Sequence, residues 1–321
     1  MASLFEIGKT GVQAYRQALS VTGQNIANIN TEGYNKRSAD INEVAGVSGG
    51  PTNVSDSSGL GVRVTNVRRS FDAYLSDKTR SSQSDYEMLN DFVSKLSDLE
   101  NMLLPSGSDL GVFIGRFFDS LQEIASNPDS VSARTIALES GKALASSFNS
   151  YDNQLKNFKS GALRQIDVKN TEANLYINQL VQVNKLIATS GSKDASNDVL
   201  DARDLLLKDL SKLMNFTVDY SKTGEAIVRL GDSGNGAYLV NRNKGAIVSS
   251  ASDGKNVSLV INNNGVKTTG IFSSGILSGI SQFYSLVDAV SSEISSLAEQ
   301  FSNEINNVQT SGIDLNGNLG K

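Results

Sequence analysis

Apolar residues recur at Leu144, Phe148, Tyr151, Leu155, Phe158, Ala162 and Ile166 in steps of four and three, and the seam resumes at Ala173, Ile177, Leu180 and Ile187. That spacing keeps one face of a helix apolar over many turns. It predicts a single helix of roughly 60 residues, ~90 Å long at 1.5 Å per residue, loosened locally at Gly161. A helix of that length calls for a coiled coil or an elongated bundle rather than an ordinary globular packing. Proline does not oppose it. The 321 residues contain only 3 prolines, and each one inside a helix would cost ~3 kcal/mol.

The first helix, over residues 3–29, has two apolar stripes. One runs through Leu4, Gly8, Val12, Tyr15, Leu19, Thr22, Ile26 and Ile29, the other through Ile7, Gly11, Ala14, Ala18 and Val21. A helix apolar on two flanks needs neighbours on more than one side. It is either a buried core helix of this chain or an assembly helix packed against other subunits. The next thirty residues carry turn and loop chemistry at Asn30-Thr31-Glu32-Gly33-Tyr34, Ser48-Gly49-Gly50-Pro51 and Ser57-Ser58-Gly59, which predicts an extended linker with short strands around Ile41 and Val62–Val67. Gly33, just past a helix end, is expected to take φ > 0, where the absence of Cβ removes the penalty.

Further helices are predicted over 70–104, with Phe71, Leu75, Leu89, Phe92, Leu96, Leu99 and Leu103 on one broad face, and over 109–126, 198–214 and 276–308. Between 216 and 272 the period drops to two, in short strands separated by Gly, Asn and Asp turns. The expected fold class is mainly α: an elongated helical bundle with long helices plus a small antiparallel β element. The length prior of about two domains fits a division into 1–60, an axial helix with its linker, and 61–321, the bundle with the β element at 216–272.

The composition closes many chemical routes. The chain has no Cys, no His and no Trp, which excludes disulfides, thiolate nucleophiles, imidazole metal sites and a Ser-His-Asp triad. A net charge of −5 argues against nucleic acid as a partner, since phosphates need a basic face. No long apolar run spans a membrane, and the N-terminus lacks a cleavable signal pattern. Gly231–Gly236 matches no nucleotide fingerprint and lies between strands, so it is expected as a hairpin turn. Asp314-Leu315-Asn316-Gly317-Asn318 opens like a calcium loop but has Leu319 where Gly is required, and a turn is expected. Asp198, Asp201, Asp204 and Asp209 alternate with Arg203, Lys208 and Lys212 on one helix, which predicts a solvated face with i,i+4 pairs. Arg68-Arg69 is too short for a nucleic-acid patch. No catalytic, cofactor or metal site is expected.

Three stretches carry a resemblance. The first runs from Ala18-Leu19 through Gln24-Asn25-Ile26-Ala27-Asn28 to Asn30-Thr31-Glu32-Gly33-Tyr34. The second is Gly59-Leu60-Gly61-Val62 with Val67-Arg68-Arg69-Ser70-Phe71-Asp72-Ala73. The third is Leu200-Asp201-Ala202-Arg203-Asp204-Leu205-Leu206. In this order they resemble the axial proteins of the bacterial flagellum, most closely the hook-associated branch. Gly275-Ile276-Leu277-Ser278-Gly279 and the closing Gly312-Ile313-Asp314-Leu315-Asn316-Gly317 are weaker matches.

The resemblance implies a structural subunit at the hook–filament junction, a mechanical adaptor between two lattices. It implies export through the flagellar type III apparatus with a chaperone, and an extracellular place in the flagellum. The implied partners are copies of itself and neighbouring axial proteins, namely the hook protein and a second junction protein. Asn25, Asn28, Asn30, Gly33 and Tyr34 match the assembly motif. The family also ends in a heptad helix that pairs with the N-terminal one, so the chain is expected to lack that C-terminal part, and residues 1 to about 60 are expected to order only on assembly. Two other classes stay open at this point: a secreted enzyme using Asp and Glu, and a free helical binding module such as a secretion-system effector.

Overall fold

A computed structural model of the chain describes residues 4–44, 61–105, 109–190, 195–313 and 319–320. The described residues form, in order, α1 (Leu4–Ala27), β1 (Arg37–Glu43), β2 (Val62–Arg69), α2 (Ala73–Leu103), α3 (Leu110–Ser126), α4 (Val131–Ser190), α5 (Asn197–Leu213), β3 (Phe216–Tyr220), β4 (Ala226–Leu230), β5 (Tyr238–Asn241), β6 (Lys244–Gly245), β7 (Ile247–Ser252), β8 (Val257–Asn263), β9 (Val266–Gly270) and α6 (Ile276–Ser311). The mainly-α architecture with a small antiparallel β element is as expected.

Helix α4, 60 residues long, is the spine. It begins just after Pro128, where the Ser130 hydroxyl accepts the Ala133 N–H at 3.2 Å, an N-terminal cap. Helix α3 packs along its first part, α6 along its middle, and α5 with β5, β6 and β7 along its last part. Helix α2 runs antiparallel to it: the Tyr151 hydroxyl donates to the Leu103 carbonyl at 3.3 Å, and Lys95 reaches Gln165. The seam is buried as its spacing requires, with Leu155, Ala173, Ile177, Leu180 and Ile187 fully covered.

The seam's two polar positions, Asn170 and Asn184, close it against the sheets. Asn184 Nδ2 donates to the Ala226 carbonyl at 2.8 Å and to the Arg242 carbonyl at 2.7 Å, while its Oδ1 accepts the Ala226 N–H at 2.8 Å. Asn174, beside the seam, grips the N–H and C=O of Val248 in the same way, both at 2.8 Å. Each side-chain amide supplies the ladder partners a neighbouring strand would have supplied, so two strands meet a helix with their backbone groups satisfied. Asn170 Nδ2 donates to the Ser250 hydroxyl at 2.8 Å.

The β element is two sheets, β3-β4-β5-β6 and β7-β8-β9. The pairs β5-β6 and β8-β9 place strands at 244–245 and 266–270, where the sequence pattern shows little alternation. Gly231–Gly236 is the connection between β4 and β5, as expected. Helix α2 corrects its expected face. Leu99 is buried and Phe92 and Leu103 pack on the core, but Leu75, Leu89 and Leu96 are exposed. Phe71 precedes the helix, whose N-cap is Asp72, and stands edge-on to Tyr220 with ring centroids 6.3 Å apart.

The Gly275–Gly279 stretch has a steric reason. Gly275 takes φ +83 and a Cβ there would lie 2.5 Å from the Leu213 carbonyl; a Cβ on Gly279 would lie 2.6 Å from the Met88 carbonyl. Both glycines let α6 press onto α5 and α2. Residues 45–60, with part of the expected linker, and the turn at 314–318 lie outside the described residues.

Candidate functional site at the base of the N-terminal arm

Helix α1 lies on the β1–β2 hairpin and buries only Ala14 and Val21 against it. Its other stripe faces outward: Leu4, Phe5, Val12, Tyr15, Leu19 and Ile26, with Ile29 just beyond, are 61 to 88% exposed. A helix with this much uncovered apolar surface marks a contact surface.

The turn after α1 sends the chain back toward the bundle. Asn25 Nδ2 donates to the Arg37 carbonyl at 2.8 Å, and its Oδ1 accepts the Arg37 N–H and the Tyr34 hydroxyl, both at 2.9 Å. One side chain thus fastens the helix end to the start of β1. Asn28 acts locally, accepting the Thr31 hydroxyl at 3.1 Å and donating to the Gln24 carbonyl at 3.0 Å. Asn30 is exposed. Gly33 has φ +81, as expected, and a Cβ there would stand 3.0 Å from Leu205 Cβ. The turn therefore rests directly on α5.

The expectation of a solvated acidic face on α5 is overturned here. Asp201 and Arg203 are buried, and Asp201 holds both strands of the hairpin. Its Oδ2 lies 3.1 Å from Arg37 Nη2 and its Oδ1 3.1 Å from Arg69 Nη1. Asn35 Nδ2 donates to the same Oδ1 at 2.8 Å. Arg69 also reaches Asp204 at 2.5 Å, and Arg37 reaches the exposed Asp198 at 2.6 Å. Arg203 pairs with Asp204 at 2.7 Å and donates to the Gly224 carbonyl at 2.7 Å. At the rim Lys208 meets Glu32 at 2.9 Å, and Asn197 Nδ2 donates to the Val67 carbonyl at 2.8 Å.

Aromatic rings continue the cluster into the sheet. The Arg69 guanidinium lies 4.4 Å from the Phe71 ring centre and that of Arg203 4.4 Å from Tyr220, within cation–π range. Burial works against the Arg37 charge, but the hydrogen bonds to Asp198 and Asp201 outweigh it and hold the guanidinium above its ordinary range. Burial pushes the Tyr220 hydroxyl up. The Lys208 hydrogen bond and charge draw Glu32 down. Carboxylates matched one by one to guanidiniums fix geometry, because a desolvated pair tolerates little misalignment.

The separation of residues 1 to about 60 from the bundle therefore does not hold for Asn25 to Glu43, which return to α5 through the Gly33 turn. Of the five motif residues, Asn25, Gly33 and Tyr34 meet at the seat, while Asn28 and Asn30 sit at the helix end beside it. Sequence reasoning missed Arg37, Arg69, Asn197 and the burial of Asp201. The signal was the L-x-x-R-D-x-L stretch, which lies directly under the first motif's Gly33, with the second motif's Arg69 and Phe71 alongside.

The fold and this seat define an elongated helical-bundle protein that carries an N-terminal apolar helix on its own hairpin. Residues 96–321 match the family described as the flagellar hook-associated protein FlgK helical domain, and residues 5–35 match the flagella basal body rod protein family. The chain belongs to the flagellar hook-associated protein family. It is 25% identical to flagellar hook-associated protein 1 of Bacillus subtilis, covering 98% of this chain and 68% of that protein. It is 27% identical to the protein of the same name from Salmonella typhimurium, covering 100% of this chain and 59% of that one. The solved flagellar hook junction protein FlgK from Burkholderia pseudomallei shares the fold, with a TM-score of 0.69 at 24% identity over 76% of this chain and 45% of that one. The chain thus spans roughly three fifths of these curated relatives and less than half of the solved one.

Proposed function

We propose that the chain is a structural subunit at the hook–filament junction of the bacterial flagellum, where it acts as a mechanical adaptor and not as an enzyme. The observation that carries this reading is the meeting of three stretches far apart in sequence at one seat, which holds α1 against the bundle and turns its apolar stripe outward. Residues 1–60 act as the axial part and 61–321 as the bundle, joined through the pairing of β1 with β2. Asn25, Gly33 and Tyr34 orient the arm, Asn28 closes its helix, and Asn30 faces neighbours.

The partners on this reading are further copies and adjacent axial proteins, including the hook protein and a second junction protein. Delivery is by the flagellar type III apparatus and its chaperone, to an extracellular place in the flagellum, without nucleic acid, membrane or cofactor. The acids a carboxylate enzyme would use, Asp201 and Asp204, are engaged by arginines, which supports the structural role.

The test is motility. In a flagellated strain lacking its own copy of the gene, the encoded protein with Leu19→Asp is expected to be secreted normally but to leave hooks without attached filaments. Normal swimming would defeat the reading.

A further inference from the structure

We propose that Asp201 is the positioning residue of an ionic lock that holds the N-terminal arm at one angle on the bundle and opens as a unit. Three observations converge. First, one carboxylate serves three segments of the arm: Oδ2 takes Arg37 of β1, and Oδ1 takes Arg69 of β2 and Asn35 of the turn. Removing it loosens all three together. Second, the other holds are weak. The apolar contact is confined to Gly33 over Leu205. The pairs Lys208–Glu32 and Arg37–Asp198 each include a well-exposed carboxylate, where water and salt screen the attraction. Third, Arg37, Arg69 and Asp201 have side chains only 8 to 11% exposed. A desolvated, forked arrangement is specific in direction, whereas an apolar seat lets its load slide.

The lock is also connected outward. Arg69 lies against Phe71, Phe71 stands edge-on to Tyr220, and Tyr220 carries Arg203. The arm's angle is thereby tied to β3 and not only to α5. This deepens the assembly reading of the arm. Its test uses the isolated protein, so failure of the lock is distinguishable from failure of the junction role.

The natural chain has no cysteine, so two introduced ones report alone. Gln17→Cys on the exposed face of α1 and Gln182→Cys on the exposed face of α4, both spin-labelled, read the arm-to-bundle distance. The parent is expected to give one narrow distance. Asp201→Asn is expected to widen the distribution at least ~twofold, with the thermal transition of the bundle retained, while Asp201→Glu keeps a single narrow peak because the charge remains. A narrow distribution in Asp201→Asn overturns the proposal. So does a Leu205→Ala variant that frees the arm more than Asp201→Asn does, since the seat would then be held by packing. Should Asp201→Asn fail to fold, Arg37→Met, which lies on the arm, takes its place with the same expected widening, and an unchanged width again overturns the lock.

Discussion

Helices α1 and α4 carry apolar positions in the same steps of four and three, and the bundle treats them in opposite ways. In α4 the seam from Leu155 to Ile187 is sealed by α5, α6 and two sheets, with asparagine amides closing the edges. In α1 the main stripe is bare, and the helix is held by two small buried residues, one asparagine and an ionic cluster beneath its turn. Periodicity states that a face needs covering; it does not state whether the cover comes from the same chain. Where the cover is intramolecular, polar groups are few and fully matched. Where it is not, charge and turn geometry fix direction and leave the apolar surface free.

The sharpest way to break this contrast is at Asn184, which has no exposed surface. Asn184→Leu keeps the volume but strips the partners from the N–H and C=O of Ala226 and the C=O of Arg242. We expect a loss of ~3–5 kcal/mol in denaturant unfolding. A loss under ~1 kcal/mol would mean the seam is held by apolar contact alone.

Gly33 tests the other side. Valine there must adopt φ +81 and push against Leu205, at a cost of ~1–3 kcal/mol. Amide exchange over Arg37–Glu43 is expected to quicken, while exchange in α4 stays close to the parent's. Equal quickening in α4 would erase the distinction between the two regions.

Much of this contrast was legible beforehand. The 60-residue helix, the hairpin strands and the β element follow from periodicity and turn residues, which are local properties. The two blanks in the seam, at 170 and 184, are both asparagine, and that was a readable sign of something polar packed against the helix. The seat was not legible. Asp201 reads like any acid on an amphipathic helix, because its partners Arg37 and Arg69 stand more than a hundred residues away in sequence and charge spacing carries no information about distant cations. Arg68-Arg69 was weighed only against phosphate.

A smaller effect lies between the two regions, at Asp91. Burial holds its carboxyl above the ordinary value despite Lys95 3.5 Å away. A raised carboxyl favours the fold when protonated, so its contribution improves as pH falls through the raised value and levels off below the ordinary 3.8. Asp91→Asn should therefore stabilise the bundle by ~1 kcal/mol or less near neutral pH. The gain should fade toward pH 4 in paired thermal melts. A gain that persisted in acid would have to come from packing.

The smallest expected effect is the most telling about the arm. Leu19 stands at the centre of the outer stripe of α1 and is 71% exposed. In a covered seam such as that of α4, Leu→Ala costs ~2–5 kcal/mol, because apolar contact is lost and a cavity remains. On α1 neither term applies, and alanine is a slightly better helix former than leucine. Leu19→Ala is thus expected to change unfolding of the isolated chain by no more than ~0.5 kcal/mol. The same substitution removes area that a neighbouring subunit would bury, at ~25 cal/mol per Å², and because every subunit in a polymer carries it, the deficit recurs at each contact. Assembly in solution should therefore weaken while the melting curve stays in place. If the melting curve moves by as much as a core substitution would move it, α1 is being covered by its own chain in solution, and the two seams are alike after all.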